Sequence, residues 1–312
     1  MSEHPLFVLL GPTASGKTRL AVRLADALGG EIISADSRQV FKGMDIGTGK
    51  DLSEYLYNGK LIPYHLIDIR EAGSLYNVHE FKEDFYKVLM EVRERAALPI
   101  LCGGTGMYVH SILQNYAYTA VPIDPALRDE LISMDLDELK TRLLAYPPEL
   151  VQHADLSSHK RLIRAIEIAA YLSTHEFVAP ERPKLKAYVA GLRSEVPLRR
   201  SRVTERLERR FEEGMIDEVR GLLAAGIDPE VLEFYGLEYK FITAYLKDEL
   251  SYVELKERLS IAICQFAKRQ MTFFRKMEKD GVEIHWFDSV ASEAEQLAQV
   301  LDSYRIYLKT QS

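Results

Sequence analysis

With 312 residues, 47% of them hydrophobic and 28% charged, the chain is long enough for one large α/β domain or for a core carrying an insertion. No apolar run reaches the length of a membrane span and no basic region precedes the first apolar stretch. Cys102 and Cys264 lack metal-site spacing, so a cytoplasmic protein is expected, with no membrane and no protein partner in evidence. The net charge of −7 speaks against nucleic acid only until its distribution is read, because basic residues cluster at Lys160, Arg161 and Arg164, along Arg193 to Arg210, and at Lys268, Arg269, Arg275 and Lys276.

In chain order, the apolar run Leu6 to Leu10 reads as a first strand. Gly11, Pro12, Thr13, Ala14, Ser15, Gly16, Lys17 and Thr18 follow it, in the pattern G-x-x-x-x-G-K-S/T of a phosphate-binding loop. Its glycines let the backbone curl so that successive N–H groups point into one concavity at a helix N-terminus. Lys17 adds a mobile charge, and the Thr18 hydroxyl is placed to bind a magnesium ion held by phosphates. A helix over Arg19 to Leu28, stopped by Gly29 and Gly30, completes the context. The chain therefore binds a diphosphate or polyphosphate, and the motif alone does not say which.

A second strand, Glu31 to Ala35, ends at Asp36. A helix is expected over Val78 to Ala97, and a third strand, Leu98 to Cys102, runs into Gly103, Gly104, Thr105 and Gly106. Alternating strands and helices after a phosphate loop imply an α/β fold of the P-loop NTPase-like kind, a parallel sheet wound by helices with ligands at the carboxyl ends of its strands. Prolines at 122, 125, 147 and 148 then punctuate short helical stretches, so residues 118–185 read as a mostly helical insertion between core segments 1–117 and 186–312. A fourth strand is expected over Lys186 to Leu192, a long helix over Arg199 to Ala225, and another from Ser251 to about Lys276 opened by the capping box Ser251 and Glu254. Glu283 to Phe287 reads as a last strand and Ala291 to Leu308 as a terminal helix.

The chemistry of the strand ends is unusual for a nucleoside triphosphatase. The third strand ends in glycines and a threonine, where a kinase-like protein would place a carboxylate for magnesium. The nearest acid at a strand end is Asp36, which could ligate the metal, serve as a general base or cap its own turn. Gln39 offers a donor and an acceptor, suited to reading a base edge. A diphosphate cradle, a carboxylate and an amide are the parts that chemistry with diphosphate as leaving group needs.

Taken together, Gly11 to Thr18, Ile33 to Ser37, Gln39 and Val40, Gly43 to Thr48, His65 to Asp68, Gly103 to Tyr108, Arg161 to Glu167 and Ala267 to Gln270 resemble the tRNA dimethylallyltransferases over most of the chain. The zinc-finger extension of some eukaryotic relatives has no counterpart, which points to the bacterial form. The resemblance implies transfer of the dimethylallyl group from dimethylallyl diphosphate to N6 of adenosine 37, beside the tRNA anticodon, with Mg2+ as cofactor. It implies that Gly11, Thr13, Ala14, Ser15, Gly16, Lys17 and Thr18 hold the diphosphate, with Arg202 and Arg206 as a motif pair suited to bidentate contact. Asp36 corresponds to the general base and Thr105 to a residue that contacts the target adenosine. Asp36, Ser37, Arg38, Gln39 and Thr105, with Lys160, Arg161, Leu162, Ile163 and Arg164, correspond to segments that touch the anticodon stem-loop.

Three departures stand out: Arg38 where methionine is usual, Gly49-Lys50-Asp51 for Ala-Lys-Pro, and Ile263-Cys264 for Thr-Arg. Two other readings remain. An enzyme prenylating free adenine nucleotides would not need the insertion or the basic helices, and a kinase-like protein would need the missing acid.

Overall fold

A computed structural model describes residues 4–152 and 154–310. Its sheet has six strands in the order β5-β2-β6-β1-β7-β8, every neighbouring pair parallel. These are β1 (His4–Leu10), β2 (Gly30–Ser34), β5 (Tyr64–His65), β6 (Leu98–Gly103), β7 (Leu185–Arg193) and β8 (His285–Asp288), while β3 (Leu56–Tyr57) and β4 (Lys60–Leu61) make a small separate hairpin. A strand buried on both faces needs no polar alternation, and β1 is the case in point. Leu6, Val8 and Leu10 pack on one face with Phe81, Phe85 and Leu89 of α2 (Val78–Glu94), Val109 of α3 (Gly106–Leu113) and Phe274 of α12 (Tyr252–Lys279). Phe7 and Leu9 pack on the other, with Leu20 and Leu24 of α1 (Lys17–Leu28) and Val300 and Tyr304 of α13 (Glu293–Thr310).

Between β7 and β8 lies a third hydrophobic core that periodicity did not reveal. It gathers Val203 and Leu207 of α8 (Val196–Glu212), Met215 and Val219 of α9 (Met215–Ala224), Leu232 of α10 (Pro229–Tyr235), Tyr239 and Ile242 of α11 (Leu237–Leu246) and Leu255, Leu259 and Ile263 of α12 around Val40, Phe41 and Met44. The single helix expected over Arg199 to Ala225 is two helices. Gly214, at φ +96°, takes a left-handed conformation that side-chain-bearing residues resist, and the chain turns there. The capping box at Ser251 and Glu254 starts α12 as expected.

The chain divides into two compact units, one running to Gln114 and resuming at Pro183, the other Asn115–Arg182, a few residues before the expected limits of 118–185. The second unit is helical: α4 (Pro125–Ile132), α5 (Leu136–Leu144), α6 (Pro148–Val151) and α7 (His159–Thr174). Pro125 and Pro148 occupy first-turn positions where no backbone N–H is needed. Its core is Leu131, Leu139, Leu143, Leu162, Ile163, Ile166 and Ala169, and the buried Glu167 accepts two 2.7 Å bonds from Arg128.

Candidate active site

The carboxyl ends of three adjacent strands, β2, β6 and β1, carry the chemistry. After β1, Ala14 (φ +60°) and Gly16 (φ +80°) curl the backbone, and α1 begins at Lys17 with no side-chain cap and no acid in its first turn. Its leading N–H groups and positive dipole end are left for an anion. Ser15 is buried and its hydroxyl has no partner among the described residues, a polar atom that a bound phosphate oxygen would satisfy. Two contacts fix the loop. Gln270 on α12 accepts the Thr13 N–H at 2.8 Å and donates to the Gly104 carbonyl at 2.9 Å, and Arg206 donates to Thr13 Oγ1 at 2.5 Å. Gln270 thereby ties the phosphate loop to the end of β6.

At the end of β2, Asp36 Oδ1 accepts the Arg38 N–H at 2.9 Å in a tight turn, and Oδ2 has no hydrogen-bond partner among the described residues. Thr105, at the start of α3, accepts the Ser37 N–H on Oγ1 at 3.1 Å, so the ends of β2 and β6 are held together. A cavity of about 530 Å³ is lined by Thr13, Lys17, Thr18, Asp36, Ser37, Arg38, Gln39, Thr105, Arg206 and Arg210. Phe234, Phe266, Arg269 and Phe273 also line it, with Arg38 over the ring of Phe234 at 5.5 Å and Arg269 over Phe266 at 5.9 Å. A second cavity of similar volume borders the same loop at Ala14, Ser15, Gly16, Lys17 and Thr18 and includes Arg202, Arg206 and Arg209.

The electrostatics favour an anion. Burial lowers the pKa of Lys17, and Arg206 and Arg210 lower it further against the opposing pull of Cys102 and Asp36. Arg206 is pushed down to about 9, first by loss of water and then by Arg210. A guanidinium keeps its proton at neutral pH, so the shift measures how costly its charge is until an anion arrives. Burial raises the pKa of Glu238, which faces Arg210 and Arg206.

The sequence profile described as IPP transferase matches residues 39–277. The chain belongs to that family. It is 50% identical over 301 residues to tRNA dimethylallyltransferase 1 of Parabacteroides distasonis, covering 96% of this chain and 98% of that protein. Identity to tRNA dimethylallyltransferase 2 of Syntrophotalea carbinolica is also 50%, over 298 residues, covering 96% and 99%. Among solved structures it is similar to the full-length tRNA isopentenylpyrophosphate transferase of Bacillus halodurans, with a TM-score of 0.73 at 30% identity and 99% and 98% coverage. A eukaryotic dimethylallyltransferase described as acting on tRNA shares the fold, with a TM-score of 0.77 at 22% identity over 96% of this chain and 78% of that one.

Within this IPP transferase several expected roles need revision. The Gln39 side chain is already committed: its Oε1 accepts from Ser34 Oγ at 3.0 Å and its Nε2 donates to the Gly49 carbonyl at 3.0 Å, so it braces a loop and is not free to read a base. Leu162 and Ile163 are buried in the core of the helical unit, which removes their side chains from any RNA. Arg164 is spent locally, on the carbonyls of Tyr118, Val121 and Pro122 and on Glu167. Lys160 and Arg161 are exposed. Arg202 borders the loop cavity, but its guanidinium bonds the Ser289 hydroxyl at 3.1 Å and carbonyl at 2.9 Å, whereas Arg206 reaches the loop itself.

Sequence reading gave no site role to Gln270, Glu238 or Arg210. Gln270 closes the motif string from Ala267, a signal of importance without a role. Arg210 continues the i, i+4 spacing of Arg202 and Arg206, which places all three on one face of α8.

Proposed function

We propose that this chain transfers a dimethylallyl group from dimethylallyl diphosphate to the exocyclic N6 of adenosine 37 in the anticodon stem-loop of tRNA, releasing diphosphate. The observation that carries the reading is the meeting of an uncapped phosphate loop, with Lys17 and Arg206, and the half-engaged carboxylate of Asp36 in one cavity. Gly11 to Thr18 and Arg206 hold the diphosphate, with Arg202 at the rim. The amine lone pair is delocalised into the adenine ring, so N6 is a weak nucleophile. As N6 attacks the allylic carbon, Asp36 Oδ2 takes its proton, the carbon–oxygen bond breaks, and the electron pair leaves on a diphosphate already surrounded by cations. Thr105 holds the Asp36–Ser37 turn in place and presents its hydroxyl to the adenosine.

The donor set fits magnesium of a particular kind. Among the described residues no group of three His, Cys, Asp or Glu could hold a metal, while Thr18 stands at the cavity beside Lys17. Such a site suits an ion that keeps several waters and takes its other ligands from phosphate. Thr18 would hold it, and when bound it neutralises charge on the leaving diphosphate.

Ser37 and Arg38 at the cavity, and the exposed Lys160 and Arg161 of the helical unit, are the RNA contacts this reading retains. No described helix is long and apolar enough to cross a membrane. Labelled dimethylallyl diphosphate offered to tRNA, AMP and ATP together tests the reading: label should enter adenosine of tRNA. Label in AMP would make the enzyme a free-nucleotide prenyltransferase instead.

A further inference from the structure

Arg210 is a buried guanidinium without the contacts that burial normally demands. It is 3% exposed, its Nε has no hydrogen-bond partner among the described residues, and its Nη atoms come no closer than 3.9 Å to Asp51 and 4.0 Å to Glu238. Arg128, by contrast, forks the Glu167 carboxylate with two bonds of 2.7 Å. Arg210 lines the same cavity as Lys17, Thr18 and Arg206, one helical turn beyond Arg206. Like charges at that spacing repel, and an anion against the three arginines on one face of α8 relieves that repulsion.

Its position is prepared by the opposite wall. A Cβ at Gly49 would lie 1.6 Å from Arg210 Nη2 and 2.7 Å from Cζ, and the Gly49 backbone sits at φ +65°. The wall cannot easily retreat. Gln39 holds the Gly49 carbonyl, and the buried Lys50 bonds the Phe41 carbonyl at 2.7 Å, Asp45 at 2.6 Å and Asp68. Gly49 and Asp51 both face Arg210.

We propose that Arg210 is a third diphosphate-holding cation of the site, admitted by the missing side chain of Gly49 and held at a distance, without being satisfied, by Asp51 and Glu238. The inference rests on the phosphate loop being the donor site. When diphosphate binds, the free N–H groups of Arg210 turn to its oxygens, and the long ion pairs with Asp51 and Glu238 persist as a second layer of charge. Burial raises the pKa of Glu238, the more distant of the two carboxylates.

The test is calorimetric binding of inorganic pyrophosphate with magnesium to the full chain, with thermal melting alongside. Arg210→Met should weaken binding about ten- to hundredfold, the range of lost charge-assisted hydrogen bonds. Gly49→Ala should act in the same direction with Arg210 still present, because the added methyl evicts the guanidinium. Melting separates binding from structure. A structural ion pair lost in Arg210→Met would lower the melting temperature of the free protein and leave the pyrophosphate-induced rise intact, which overturns the proposal. Loss of that rise supports it. Lys17→Ala separates the two readings. If it weakens pyrophosphate binding and Arg210→Met does not, the proposal about Arg210 alone falls. If neither variant weakens it, the loop is not the donor site and both readings fall.

Discussion

In the helical unit, Glu167 lies under a two-pronged bond from Arg128, both prongs at 2.7 Å, and Arg164 spends its guanidinium on three carbonyls and the same carboxylate. In the core, Arg210 is buried with no ion pair shorter than 3.9 Å among the described residues, and Arg206 donates to the Thr13 hydroxyl of the loop it faces. The same residue type thus carries opposite meanings. Where the guanidinium meets carboxylate and carbonyl partners at bonding distance, the charge fixes a fold. Where burial is left uncompensated, the protein accepts a cost in the empty state that an anion relieves. Arg161 to Glu167 and Arg202 to Arg210 look alike as basic strings, and only the partners distinguish them.

The largest expected effect is on the uncommitted side. Asp36→Asn keeps shape and polarity but removes the proton acceptor, so turnover should fall by roughly 10²–10⁴-fold while donor binding changes little. Joint collapse of donor and magnesium binding would instead make Asp36 a metal ligand. The committed side should respond in stability. Glu167→Ala strands two partly buried cations, and should cost about 2–4 kcal/mol in denaturant unfolding of the helical unit, a little below the range for a fully buried pair because both arginines keep some water. Cost near zero would mean that the fork is as dispensable as a surface pair.

The layered core was legible because its cause is local. The run Leu6 to Leu10 is apolar at every position since both faces of β1 are covered, and Ser251 with Glu254 announces α12 from three residues away. Gly214 was not read as a break because a lone glycine in a charged helical pattern is tolerated in many helices, and only its left-handed φ decides the matter. The site was legible as a set of strings and illegible as a set of partners. Thr13 meets Gln270 across 257 positions, and Gly49 accepts Arg210 from another element altogether. Gln39 was misjudged for the same reason: its amide suits a base edge until Ser34 and Gly49 are seen to hold it.

Smaller effects sharpen the contrast. Lys17→Ala should weaken donor binding by about 1.5–3 kcal/mol, through loss of a charge-assisted contact to the diphosphate. Unchanged affinity by calorimetry would dismiss the loop as the donor site. Binding of tRNA should weaken with salt despite the net charge of −7. Arg161→Ala, which removes an exposed cation, should reduce the slope of log K against log salt by about one. Arg164→Ala should lower the melting temperature and leave that slope alone once the protein is folded. Equal slopes for the two variants would show that Arg164 is as available to RNA as Arg161, whatever its local bonds.

The subtlest difference is in protons. Burial lowers the pKa of Lys17, with Arg206 and Arg210 adding to the effect, and Arg206 itself is pushed to about 9. Binding a diphosphate supplies the missing counter-charge and raises the Lys17 value. At pH below the depressed value Lys17 is charged with or without donor, so its contribution to affinity is flat. Between the depressed value in the free protein and the raised value in the complex, binding must take up protons, and affinity falls as pH rises through that window. For Lys17 the window opens below the ordinary lysine value of 10.5, whereas the Arg206 guanidinium keeps its proton throughout and contributes no uptake. Calorimetry of dimethylallyl diphosphate with no acceptor, run in two buffers of different ionisation heat, should therefore show uptake of a fraction of a proton on the alkaline side of neutrality. The uptake should shrink in Lys17→Ala. Its absence in the parent protein would mean that the core's cations are already neutralised by Asp36, Asp51 and Glu238, and that the two regions bury charge in the same way after all.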